Sequence, residues 1–211
     1  MAFDWEGITS LAYLTLIQMG ITSFPIPHER IKFEDIIICS YQKYSRITEL
    51  SIAEISCGHS LDDAYCIKGL RPNITFILYN KQTISSRLKH TILHEVGHIK
   101  CNHCKHGEKE EIEAHFFASQ VNAPNIVIKE ISKRGYMINI SLLADCFGLS
   151  KESANKKLNY LNKYHFSHTN KYDDILLQQF SDFIVSNFPL KTPHYYDDSF
   201  DELENERRKW Y

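Results

Sequence analysis

The feature that most constrains the fold of this chain is the segment His94-Glu95-Val96-Gly97-His98, which lies in a stretch with helical apolar spacing, residues 85–100. On a helix, residues four apart lie on nearly the same face, roughly 6 Å apart along the axis. His94 and His98 can therefore both bind one metal ion. Glu95 lies about 100° further round, where it can reach water without being a ligand itself. Gly97 would let a neighbouring element approach closely.

A catalytic zinc site needs a third protein ligand and one open position for water. The second predicted helix, residues 108–121, offers four glutamates: Glu108, Glu110, Glu111 and Glu113. Most glutamates in a first helical turn are solvated and only compensate the helix dipole. The ligand should lie on the stripe that packs on the first helix, and Glu111 shares such a stripe with His115, whereas Glu113 lies on a different side. Spacing therefore favours Glu111 without excluding the others.

The remaining pattern predicts a mostly helical α+β fold. A helix is expected at residues 3–20, a short strand at 36–39, a capping-box helix from Ser51, and a hairpin formed by residues 64–68 and 74–79. Further helices are expected at residues 125–134, 141–147, 151–163 and 172–188, and a terminal helix at 201–209. The small sheet is expected to be antiparallel.

Composition and charge narrow the class of protein. Of the 211 residues, 43% are hydrophobic and the net charge is −2, so no overall positive field would attract nucleic acid. Residues 7–28 are uncharged, but polar residues interrupt them and Asp4 and Glu6 precede them, which is typical neither of a signal peptide nor of a membrane span. We therefore expect a cytoplasmic protein without a membrane partner, whose six cysteines stay reduced.

Residues 74–124 resemble the ImmA/IrrE family of zinc metallopeptidases. The matching pieces are the predicted strand at 74–79, residues 87–91 leading into the His94–His98 motif, Glu111-Ile112-Glu113-Ala114-His115-Phe116-Phe117-Ala118, and Ala123-Pro124. In the family pattern a glutamate stands three residues before an alanine, followed by Phe-Ala and a helix-ending proline. That glutamate is the third metal ligand and falls on Glu111. The chain departs from the pattern at His115, where Asn or Asp is commoner, and at Val121-Asn122-Ala123.

The resemblance covers residues 1–165 and implies a zincin-like metallopeptidase domain at residues 1–135 and a helix-turn-helix-like hairpin packed on it at 136–165. Residues 166–211 lie outside the resemblance, and their pattern predicts a C-terminal helix with a charged tail. The resemblance implies a zinc endopeptidase in which His94, His98 and Glu111 bind Zn²⁺ and Glu95 is the catalytic general base. The implied substrate is a helix-turn-helix repressor of a mobile element or stress regulon. The alternative is a DNA- or protein-binding regulator that keeps the metal site without proteolysis.

Several further features of the sequence can be interpreted in two ways. An oxyanion donor could be His115, Tyr79 or Tyr136, although each could equally be a packing residue. The strand at 74–79 could be an edge to which an extended substrate adds. The segment 101–106, with two cysteines and two histidines, could bind a second metal, but a helix end with incidental thiols is preferred because no second cysteine pair completes it.

Two C-terminal segments are similarly open. Residues 141–161 resemble a helix-turn-helix whose second helix carries Lys151, Lys156, Lys157 and Lys163, but a packed hairpin is preferred because the net charge is not positive. The helix at 172–188 could dock a partner or pack on its own domain.

Overall fold

A three-stranded sheet interrupts an otherwise helical chain. The computed structural model describes residues 3–56, 64–71, 74–83, 85–104, 107–164 and 169–191. The strands are β1 (Ile36–Ser40), β2 (Tyr65–Arg71) and β3 (Ile74–Tyr79). The helices are α1 (Trp5–Met19), α2 (Tyr41–Thr48), α3 (Ile52–Ser56), α4 (Ser85–Lys100), α5 (Glu108–Asn122), α6 (Asn125–Lys133), α7 (Ile140–Phe147), α8 (Lys151–Tyr164), α9 (Asp173–Gln179) and α10 (Ser181–Asn187). The α+β, mostly helical class is confirmed, and the helix predicted at 201–209 lies outside the described residues.

β3 is the central strand of the sheet, whose order is β1-β3-β2. β2 pairs with β3 antiparallel, which confirms the predicted hairpin, but β1 pairs with β3 parallel, so the sheet is mixed. Ile77 shows the double pairing, because it lies opposite Ile38 on one side and Cys66 on the other. The interpretation of residues 74–79 as an edge for substrate is therefore wrong, since both sides of this strand are already paired.

Short polar side chains cap the starts of several helices, and the sequence predicted one of these caps. The Asp4 carboxylate accepts a hydrogen bond from the Gly7 N–H (2.8 Å) at the start of α1. At α3, the Ser51 hydroxyl accepts from the Glu54 N–H and the Glu54 carboxylate accepts from the Ser51 N–H, which confirms the capping box. α2 was not predicted; it begins at Tyr41 and is capped by Ser40, whose hydroxyl accepts a hydrogen bond from the Lys43 N–H.

α4 and α5 meet at Gly97. A Cβ atom at this position would lie 3.2 Å from the Cα and the carbonyl oxygen of Ala114 and 3.1 Å from the Phe117 ring. The predicted close approach at Gly97 is thus confirmed, and its partner is the backbone of the helix that carries Glu111. The two helices are held at a separation that a larger side chain would increase.

The main hydrophobic core contains side chains from both ends of the described chain. Fully buried examples on different helices are Leu16, Ile92, Phe117, Ile128, Phe147 and Leu176. The three predicted segments, 1–135, 136–165 and 166–211, all contribute to this core, and the boundaries between them stay a prediction. Among the described residues, no helix combines the length and apolarity needed to cross a bilayer.

The single helix predicted at residues 172–188 is wrong, because the chain leaves helical geometry at Phe180 (φ −98°, ψ 9°) between α9 and α10. The Phe180 ring stacks on Phe24 with centroids 4.6 Å apart. The Gln179 amide, one residue earlier, donates to the Leu16 carbonyl oxygen (3.1 Å). Leu176, Phe180 and Ile184 therefore belong to the protein's own core, whereas Ile175 and Val185 are exposed.

α7 and α8 form a helical hairpin around Gly148, which adopts the left-handed conformation (φ 64°). Lys157 of α8 is buried, 3% exposed, and its Nζ has no hydrogen-bond partner among the described residues. Burial lowers the Lys157 pKa to about 7. Lys156 forms an ion pair with Glu152 (2.7 Å). Of the four lysines that suggested DNA contact, Lys157 is thus inside the protein, whereas Lys156 lies on the surface in an exposed ion pair.

Candidate metal centre

The facing surfaces of α4 and α5 bring His94, His98 and Glu111 together. The Nε2 atoms of the two histidines are 3.0 Å apart. One Glu111 oxygen lies 3.2 Å from His94 Nε2 and the other lies 3.3 Å from His98 Nε2. The two histidines are one helical turn apart on α4, and Glu111 lies in the first turn of α5. Three ligand atoms therefore converge on one point.

This donor set fits a zinc ion. Zinc in proteins takes imidazole nitrogen and carboxylate oxygen at about 2.0–2.2 Å in tetrahedral geometry, which separates neighbouring ligand atoms by about 3.4 Å. The two Nε2 atoms are 3.0 Å apart, and their distances to the Glu111 oxygens are 3.2 and 3.3 Å, close to that value. Two nitrogens and one carboxylate also leave one tetrahedral position for a water molecule or a substrate, as in catalytic sites.

The environment of His94 keeps its imidazole neutral. Burial, reinforced by the neighbouring His115 and His98, lowers the His94 pKa to about 3. Burial likewise lowers the pKa of His90, one turn earlier on α4, to about 4. A neutral imidazole offers the lone pair that a metal ligand needs, so His94 does not have to lose a proton near neutral pH before it can bind an ion.

Glu95, the predicted general base, follows His94 on α4. Its side chain is 8% exposed, which is unusual for a glutamate. The sequence predicted only that Glu95 could reach a metal-bound water, and its role as general base stays a prediction.

His115 also belongs to the cluster, although the sequence did not indicate it as a ligand. Ligand atoms of His94, Glu111 and His115 lie within 4.8 Å of one another. The His115 ring centroid lies 4.3 Å from that of His94, and His115 Nδ1 is 3.3 Å from His90 Nε2. His94 and Glu111 thus belong to two groups of possible metal ligands. One is a tight set with His98, and the other is a looser set with His115. In the tight set, the two Nε2 atoms lie 3.0 Å apart and each lies 3.2–3.3 Å from an oxygen of Glu111.

The two tyrosines proposed as oxyanion donors have other neighbours. Tyr136 packs edge-on against Phe188 and under the Lys191 ammonium group, near the C-terminal helices. Tyr79 packs against His28, and burial raises the pKa of its phenol. Of the three predicted donors, the structure brings His115 next to His94.

The turn after α4 supplies His103, which lies against His98. His103 Nδ1 is 3.0 Å from His98 Nδ1, and His103 Nε2 is 3.1 Å from Glu113 Oε2. Within the described residues, no group of three metal-binding side chains includes Cys101 or Cys104. Cys101 is partly buried, which raises its thiol pKa to about 11. Lys105 and His106 of the same segment lie outside the described residues.

A mostly helical α+β fold that presents two histidines and a glutamate on facing helices defines a metallopeptidase-type protein. The family model Peptidase_M78, the IrrE N-terminal-like domain, matches residues 49–159, just over half of the chain, and the chain belongs to this family. No curated protein and no solved structure matches it. The resemblance to the ImmA/IrrE family is confirmed, and the matched range contains α4, α5 and the whole His94–Glu111 cluster.

Proposed function

We propose that this protein is a zinc-dependent endopeptidase in which His94, His98 and Glu111 hold the metal and Glu95 is the general base. The observation that carries the proposal is the convergence of two Nε2 atoms and one carboxylate within 3.0–3.3 Å in a chain of a peptidase family. The buried carboxylate of Glu95 favours catalysis over a purely structural metal site, which needs no base and normally fills its fourth position with protein.

The chain's own residues would divide the work of peptide hydrolysis. Zinc, when bound, supplies Lewis-acid activation of water and of the scissile carbonyl group. Glu95 would accept the proton of the attacking water and return it to the leaving amine. The Glu111 and histidine side chains orient the site, and an N–H of His115 could donate to the developing oxyanion.

We further propose a single protein substrate, a helix-turn-helix repressor encoded near the enzyme, in the cytoplasm. The family resemblance supports this substrate class. A small peptidase with no evident unfolding partner would also have to be selective to be harmless to its host.

The Glu95→Gln variant tests the base directly. We expect it to keep one zinc per chain and to lose turnover by at least about 100-fold, because general-base contributions are typically of that size or larger. The matched control is Glu108→Gln, an exposed carboxylate on α5, which should cleave at the parental rate. Parental turnover by Glu95→Gln would exclude the proposed base.

The substrate is tested by incubating the zinc-loaded protein with the neighbouring repressor and, separately, with unfolded casein. One discrete cut in the repressor, absent with Glu95→Gln, is the expected result. Efficient degradation of casein with an intact repressor would contradict site-specific cleavage.

A further inference from the structure

The end of α4 is built so that His103 lies directly against His98. The chain turns at Asn102, which adopts a left-handed conformation (φ 55°). The Asn102 N–H donates to the Ile99 carbonyl oxygen (3.1 Å), and the His103 N–H donates to the His98 carbonyl oxygen (2.9 Å). These two bonds form a Schellman motif, in which the residue after the left-handed position returns over the last turn of the helix. In most such motifs an apolar contact follows, whereas here two imidazole rings meet.

A line of hydrogen-bonding atoms leaves the metal centre through this cap. His98 Nδ1 is 3.0 Å from His103 Nδ1, and His103 Nε2 is 3.1 Å from Glu113 Oε2. The side chains of His98, His103 and Glu113 are only 3%, 7% and 12% exposed. Lys109, one turn earlier on α5, lies 3.5 Å from the second Glu113 oxygen. The line thus ends at a carboxylate that a lysine also holds.

The positions of the protons follow from the role of His98. A neutral imidazole that binds a metal through Nε2 carries its hydrogen on Nδ1. His98 Nδ1–H then donates to His103 Nδ1, which must be the acceptor. The hydrogen of His103 consequently lies on Nε2 and is donated to the Glu113 carboxylate. The two contacts, His98 Nδ1 to His103 Nδ1 and His103 Nε2 to Glu113 Oε2, then have a single consistent direction of donation.

We propose that His103 and Glu113 are positioning residues that fix the Nδ1–H tautomer and the ring orientation of His98 for metal binding. The inference rests on the proposed function, because it takes His98 as a ligand through Nε2. Hydrogen bonds to the outer nitrogen of a ligating histidine raise its basicity and hold its plane. Here the carboxylate acts through an intervening histidine, and the helix cap sets the distance between the two rings.

Zinc affinity of the full-length protein, measured by competition with a chromophoric chelator, tests this role without any peptidase assay. Loss of an outer-shell partner typically weakens metal binding by about 10- to 100-fold. We expect that range for His103→Ala and a loss of about tenfold for Glu113→Gln. The variant His103→Gln should recover much of the affinity, since its amide oxygen can accept from His98 while its amide nitrogen donates to Glu113.

Matched controls separate position from composition. Cys104→Ser changes the exposed neighbour of His103, and Glu108→Gln removes an exposed carboxylate from the same helix as Glu113. Both should bind zinc within about twofold of the parent. Asn102→Gly keeps the left-handed position available and should be equally mild, whereas Asn102→Val disfavours it and should resemble His103→Ala.

The outcomes distinguish this inference from the proposed function. If the parent and His103→Ala bind one zinc with equal affinity, the positioning role alone is overturned. A parent that binds no zinc would overturn both. Two zinc ions per chain, with the second lost in His103→Ala, would make His103 a ligand of a separate site and contradict the proposal.

Nitrogen-15 NMR of the zinc-loaded parent gives a test that needs no variant to fold. The expected spectrum has His98 protonated at Nδ1, and His103 protonated at Nε2 but not at Nδ1. A hydrogen on His103 Nδ1 would reverse the direction of the chain of bonds and refute the assignment.

Discussion

His94 and His98 of α4 lie one turn apart and both contact Glu111, yet their outer nitrogens have opposite surroundings. His98 Nδ1 meets His103, which is in turn bonded to Glu113. His94 Nδ1 is buried and has no hydrogen-bond partner among the described residues. The His98 side is a directed hydrogen-bonded line, and the His94 side is a group of rings formed with His90 and His115. The comparison teaches that identical ligands in one motif need not be equally supported.

The largest expected effect removes a ligand. His94→Ala, His98→Ala and Glu111→Gln should each reduce zinc from one per chain to a level undetectable after dialysis, because a site with two protein ligands holds zinc poorly. Metal analysis by mass spectrometry measures the content. Glu113→Gln should still retain zinc after the same dialysis, and if it lost zinc while Glu111→Gln kept it, the third ligand would be Glu113.

A steric change between the two helices should affect both sides of the site together. Gly97→Ala would push the Ala114 backbone away and displace Glu111 from both histidines, at a cost of about 1–3 kcal/mol in the free energy of unfolding. Urea denaturation of the metal-free protein measures this change. The control Thr91→Ala, on the more exposed part of α4, should stay within about 0.5 kcal/mol of the parent.

Acid should weaken the His94 side of the metal-free protein. Burial lowers the pKa of His90 to about 4, whereas an unfolded histidine titrates near 6.5, so the unfolded chain binds more protons between these values. The stability from neutral His90 is complete above about pH 6.5 and is lost as the pH falls towards 4. His90→Gln should therefore flatten the pH dependence by on the order of 1–2 kcal/mol, a figure discounted for partial solvation. Urea titrations at pH 7 and pH 5 give the change in the free energy of unfolding for the parent and for His90→Gln. An equal change in the two proteins would contradict His90 as the cause of the pH dependence.

The smallest expected effect concerns His115. His115→Asn introduces a residue that is common at this position in the resembling family. Zinc affinity should change by less than about twofold, because His115 contacts the His94 ring and makes no hydrogen bond with His94 Nδ1. Chelator competition measures it beside His103→Ala. If His115→Asn lost more than tenfold in zinc affinity while His98→Ala changed little, His115 and not His98 would be the ligand.

Local sequence signals were enough to predict the ligand-bearing part of the fold. The bounds of α4 match the prediction at both ends. The stripe argument for Glu111 was wrong, because the buried face of α5 carries Glu113, Ala114 and Phe117 while Ile112 is exposed, so among the sequence signals only the family pattern supports Glu111 as a ligand. The parallel pairing of β1 with β3 and the bend at Phe180 depend on tertiary contacts between residues distant in the chain, which no local pattern contains. His103 left a detectable signal, because an Asn beyond the last helical turn predicts a left-handed cap that brings the following residue back over the helix.

The unequal exposure of the three proposed ligands has a consequence for the exchange of the ion. The side chain of Glu111 is 41% exposed, against 12% for His94 and 3% for His98. Release of an ion would therefore begin with rotation of the glutamate into solvent, while both imidazoles stay in place. The dissociation rate should then depend on the rotamer freedom of one surface carboxylate, and a competing carboxylate in the medium could accelerate the exchange by taking its place.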